Sequence, residues 1–80
     1  MTPQQVADLI RQSMPDAEVA VRSGDNVHFE ARVVSPAFAG KRPLQRHQLV
    51  YAALGSLMGG EIHALSIEAL TPDDVAARGA

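Results

Sequence analysis

The apolar positions of the chain switch between helical and strand spacing in a regular order. Val6, Leu9, Ile10 and Met14 recur at three- and four-residue intervals, which predicts an amphipathic helix. Thr2 can cap it, Pro3 suits its first position, Gln5 completes a Thr-x-x-Gln capping box, and Pro15 ends it. The period then drops to two. Ala17, Val19 and Val21 alternate with Glu18, Ala20 and Arg22, the turn-forming run Ser23-Gly24-Asp25-Asn26 follows, and Val27, Phe29, Ala31 and Val33 alternate with His28, Glu30 and Arg32. This predicts a β-hairpin.

Ser35 as cap, Pro36 at the first position and Gly40 as stop allow about one helical turn. After the loop Lys41-Arg42-Pro43, His47, Val50, Tyr51, Leu54, Leu57 and Met58 share one helical stripe, which predicts a longer helix ending at Gly59-Gly60. His63, Leu65, Ile67 and Ala69 share one strand parity, and Thr71-Pro72-Asp73-Asp74 reads as a new helix start with acids at its positive end. The order is αββ(α)αβα. A hairpin, a crossover helix and a further strand predict an α+β fold, a three-stranded mixed sheet with helices packed on one face. The second type of KH domain has the same element order, and the short helix, basic loop and longer helix have the outline of a helix-turn-helix.

Composition narrows the class. Eighty residues without a repeat or linker make one domain, 1–80. Seven basic against nine acidic residues leave a net charge of −2, so polyanion binding would need a local patch. Cysteine is absent, which removes disulfides, a thiol nucleophile and thiolate ligands from this chain. With neither a signal-like start nor a long apolar run, a cytoplasmic protein with no membrane association is expected.

The residues that carry chemistry are few. No nucleophile is paired with a base, no glycine-rich phosphate loop follows a strand, and there is no paired-histidine motif, so the expectation is a protein that is not an enzyme. A zinc site from His28, His63 and a carboxylate has no diagnostic spacing, and a structural role for these side chains is the better reading of the residues alone. Lys41, Arg42 and Arg46 form a compact basic patch suited to phosphate, an acidic protein surface or glutathione. Its Gly-Lys-Arg-Pro loop lacks the second glycine of the KH backbone clamp, and Phe29, Phe38 and Tyr51 are the whole aromatic supply for base stacking. His47 lies on the apolar stripe of the long helix and is expected to be structural.

The run VSPAFAGKRPLQRHQLVYAALGSL, followed by IHALSIEALTPDD, resembles the BolA family across nearly the whole chain. The matching positions include Phe38, Gly40, Arg46-His47, Val50-Tyr51, the Ile62 to Ile67 block and Thr71-Pro72. The resemblance implies a KH-like domain that partners monothiol glutaredoxins and shares a bridging [2Fe–2S] cluster with the glutaredoxin and glutathione, in cluster trafficking or in iron and redox regulation. Isolated, such a chain is expected to hold no cofactor and to be a monomer or weak homodimer. The family also includes DNA-binding transcriptional regulators, for which the basic patch would give weak DNA contact. By this resemblance His63 is the expected cluster ligand. A second donor is expected from the hairpin loop, with His28 ranked above Asp25.

Overall fold

The computed structural model describes residues 1–60, 62 and 64–78. Helix α1 spans Pro3–Ser13, strands β1 and β2 span Glu18–Arg22 and His28–Val34, and helix α2 spans Pro43–Leu54. Strand β3 spans Ala64–Leu70 and helix α3 spans Pro72–Ala77, with 3-10 turns at Pro36–Phe38 and Gly55–Leu57. The order αββ(α)αβα is the expected one, its bracketed helix being a single 3-10 turn capped by Ser35. The Thr2 box forms as the sequence predicts: Thr2 Oγ1 accepts from the Gln5 N–H at 3.2 Å, and Gln5 Oε1 accepts from the Thr2 N–H at 2.9 Å.

The sheet order is β1-β2-β3, with β1 antiparallel and β3 parallel to β2. Two parallel neighbours need a crossover, and α2 supplies it. One face of the sheet is covered. Val6 and Ile10 of α1, Val19, Phe29, Ala31 and Val33 of the hairpin, and Phe38, Val50, Leu54 and Ile62 make one buried cluster. The other face is solvated and carries cross-strand pairs, Arg22 to Glu30 at 2.7 Å and Arg32 to Glu68 at 3.1 Å. The alternation along the hairpin therefore separates core from water, as a half-buried sheet requires.

Two boundaries differ from the sequence reading. Val27 is exposed and precedes β2, because Asp25 Oδ1 accepts from the backbone N–H groups of both Val27 and His28 and holds Val27 in the turn. Helix α2 ends at Leu54 rather than at Gly59-Gly60. Gly55 takes φ 57°, a left-handed conformation that glycine adopts without a Cβ clash, and the chain tightens into the 3-10 turn before reaching Leu57 and Met58. Tyr51, expected on the buried stripe, is 39% exposed.

The parallel register fixes which residues share an end of the sheet. His28 pairs with Ala64 at one end, and Val34 with Leu70 at the other. Ser35 donates to the Leu70 carbonyl, so the chain enters the basic loop and the start of α2 at the Leu70 end. Ile62, which donates to the Leu57 carbonyl, brings it back to the His28 end. Six strand steps separate the two ends, about 20 Å.

Candidate functional site

The hairpin loop is organised by one carboxylate. Asp25 Oδ1 accepts from the Val27 N–H at 3.0 Å and the His28 N–H at 2.9 Å, and lies 3.2 Å from Ser23 Oγ. Ser23 Oγ in turn accepts from the Asn26 N–H at 2.9 Å and donates to the His28 carbonyl. Asn26 adopts φ 58°, a conformation that asparagine tolerates better than most residues and that this closed loop requires. Asp25 Oδ2, left over from this work, lies 2.7 Å from His28 Nδ1.

These bonds have a chemical consequence. The hydrogen bonds from the His28 ring and then from the His28 and Val27 backbone hold the Asp25 carboxyl far below the usual carboxylate range, so Asp25 is an ionised acceptor. Nδ1 of His28 must then donate, and in the neutral ring the lone pair sits on Nε2. A carboxylate that fixes the tautomer and orientation of an imidazole is the usual support behind a metal-binding histidine. Asp25, expected as a low-ranked ligand, has both oxygens engaged inside the loop and is placed to orient His28.

His28 and Asp25 line a shallow depression together with Arg22, Glu30, Ala64 and Ser66, where the loop meets the start of β3. His63, the expected principal ligand, lies outside the described residues; Ala64, which follows it in sequence, is the register partner of His28. Among the described residues no group of three or more His, Asp or Glu side chains is assembled to hold a metal ion. The donor chemistry fits an exposed, shared site. A thiolate-free chain with an oriented imidazole at its surface can complete a cluster whose sulfur ligands come from elsewhere.

The basic patch does not form as the sequence predicts. Lys41 and Arg42 are exposed, with Gln45 Oε1 accepting from the Arg42 N–H at the start of α2. Arg46 is turned inward, its side chain 18% exposed. Its Nε donates to the Lys41 carbonyl at 2.9 Å, and its Nη1 to the Ala69 carbonyl at 3.1 Å and to Asp74 Oδ2 at 3.0 Å. Three acceptors from the basic loop, β3 and α3 use the planar fork, so the third cation of the patch is a structural clamp. Sequence spacing places Arg46 beside Lys41 and Arg42 but cannot show that Asp74, 28 residues on, reaches it. His47, the next residue of α2, is half-buried.

The ends of the sheet separate these features. The Asp25–His28 pair sits where β2 and β3 begin, and Lys41 and Arg42 sit where those strands finish. A ligand bound beside His28 is thus about 20 Å from the basic loop, beyond the reach of a lysine or arginine side chain.

The fold and the site together describe a small α+β domain with one solvated sheet face and a carboxylate-oriented histidine in its hairpin loop. The family model described as BolA-like protein matches residues 2–74, and the chain belongs to the BolA family. The "uncharacterized protein in rpoN-murA intergenic region" of Acinetobacter guillouiae is 44% identical over 92% of this chain and 89% of its own length. Human BolA-like protein 1 is 55% identical over 66% of this chain, a match that spans 39% of the human protein. The DNA-binding transcriptional regulator BolA of Vibrio cholerae is 43% identical over 68% of this chain and 51% of its own length. Among solved structures, a bolA protein homologue from Coxiella burnetii superposes with TM-score 0.84 at 42% identity, covering 95% of this chain and 97% of that one.

Proposed function

We propose that this protein is a non-enzymatic partner of a monothiol glutaredoxin and shares a bridging [2Fe–2S] cluster with it, in cluster trafficking or iron and redox regulation. The observation that carries the reading is the Asp25–His28 pair, an oriented imidazole in a chain without cysteine, at the end of the sheet where β3 begins one residue after His63. A [2Fe–2S] centre takes four protein or cofactor donors. The glutaredoxin and glutathione supply the thiolates, and this chain supplies imidazole from His63 and His28.

The test is reconstitution. Mixed with a glutathione-loaded monothiol glutaredoxin, iron and sulfide, the protein is expected to form a coloured heterodimer whose visible absorption and circular dichroism differ from those of the glutaredoxin homodimer. Alone under the same conditions it is expected to stay colourless, since it lacks thiolate donors. Stable cluster binding by the isolated chain, or a mixture that shows only the homodimer spectrum, defeats the reading.

The name of the Vibrio cholerae relative favours a second reading, a DNA-binding regulator using the basic loop. With Arg46 engaged by Asp74, Lys41 and Arg42 are the cations this loop can offer to phosphate. Counterion release then predicts a slope of log affinity against log salt of about −2 and weak, nonspecific binding at physiological salt. Fluorescence anisotropy of a labelled duplex across a salt series measures it. A steep slope with tight, sequence-specific binding would favour the regulator instead.

A further inference from the structure

Helix α2 shows an unusual outer surface. Its inward side buries Val50 and Leu54, yet Leu44 on the outside is 68% exposed and Tyr51 is 39% exposed. These two lie seven residues apart, two helical turns and about 10 Å along one side of the helix. Between and beside them are the exposed, uncharged Gln45, Gln48 and Ala52. A solvent-facing helix ordinarily carries charges of both signs on its outer face. Here the one charged side chain of α2, Arg46, is turned inward.

The charge pattern around this face is one-sided. From Ser35 to Gly60 there is no aspartate or glutamate, and Lys41 and Arg42 stand exposed at the helix start; all nine acids of the chain lie outside that stretch. A chain of net charge −2 therefore confines an apolar face and its cationic end to a single segment. The free N–H groups at the start of α2 add positive potential there.

We infer that the outer face of α2 is a docking surface for a folded acidic protein, with Leu44 and Tyr51 entering an apolar recess and Lys41 and Arg42 meeting carboxylates on its rim. The inference rests on the function proposed above, in which that protein is the monothiol glutaredoxin. Nucleic acid suits the face less well, because Leu44 offers nothing to a phosphate and two cations give a small electrostatic footprint. A tyrosine and an aliphatic residue flanked by lysine and arginine fit the anchors and polar rim of a protein interface. The direction of the helix agrees with this. Leu44 lies near the basic loop, and Tyr51 lies near the end of α2 that returns the chain to the start of β3. A partner lying along α2 would thus span the length of the sheet between its two ends.

Calorimetric titration with glutathione-loaded, cluster-free glutaredoxin tests the surface, using wild type, Leu44→Gln, Tyr51→Gln, the double variant and a Lys41→Glu/Arg42→Glu variant at low and high salt. Leu44→Gln is expected to weaken binding about tenfold, and the double variant further, at both salt concentrations. Charge reversal is expected to weaken it strongly at low salt and less at high salt. Circular dichroism checks folding, and the exposed Leu44 keeps the test decisive if Tyr51→Gln disturbs the helix. No binding by wild type would overturn the docking surface, while the function proposed above stands or falls on the reconstitution. Wild-type binding that both glutamine variants retain would overturn the docking surface alone. The surface is equally overturned if these variants lose duplex DNA binding or self-association but keep glutaredoxin affinity.

Discussion

Replacing His63 by alanine is expected to abolish the distinct spectrum of the reconstituted heterodimer and to leave the glutaredoxin homodimer signal in its place. The expectation rests on ligand supply. With no cysteine in the chain, imidazoles are the donors it can bring to an iron centre that takes thiolates from elsewhere, and the family resemblance puts position 63 first among them. His28→Ala is expected to weaken the signal less completely. Asp25→Asn separates support from ligation: the amide oxygen can keep the Val27 and His28 backbone bonds, but the ring loses the carboxylate that fixes its tautomer. Loss of such a support typically costs ten- to a hundredfold in metal affinity. A His63→Ala protein that still gives the heterodimer spectrum, with folding verified by circular dichroism, would remove His63 from the ligand set.

Arg46→Ala is expected to be the more damaging change for stability, lowering it by about 2 kcal/mol through lost charge-assisted hydrogen bonds to two backbone carbonyls and Asp74. In a domain of this size that corresponds to a fall in Tm of about 10 °C, readable by thermal denaturation. Lysine is not expected to rescue it, because one ammonium cannot reproduce a fork that reaches three separate elements. The effect should depend on pH. The Thr71 backbone N–H, and after it Arg46, hold the Asp74 carboxyl below its ordinary range. A carboxyl depressed in the folded state stabilises fully above its unfolded value, about 3.9, and that contribution is lost as pH falls through the lower folded value. The difference between wild type and Arg46→Ala should therefore be larger at neutral pH than in acid. Unchanged stability with abolished DNA binding would return Arg46 to the surface patch.

Much of the molecule was decided locally. The Thr2-Gln5 box, the alternation through Phe29, Ala31 and Val33, and the Thr71-Pro72 start are interactions between near neighbours, so periodicity and capping chemistry identify them from the sequence. The end of α2 was also local but ambiguous, since Gly55 and Gly59 can both stop a helix and the apolar stripe runs past the first. The Gly55 left-handed turn and the packing of Ile62 settle it.

The site divides the same way. That a cysteine-free chain carries His28 and His63 is legible in its sequence, and so is the basic loop. That Asp25 orients His28 instead of standing as a separate ligand depends on the hairpin closing through Asn26. The inward turn of Arg46 requires α3 to fold back against the start of α2, which no three- or four-residue period encodes. Parallel pairing of β2 with β3 has the same long-range character. It brings His28 to Ala64 and sends Lys41 and Arg42 to the opposite end, because seven paired residues keep the two ends of the sheet apart whatever the local sequence around each.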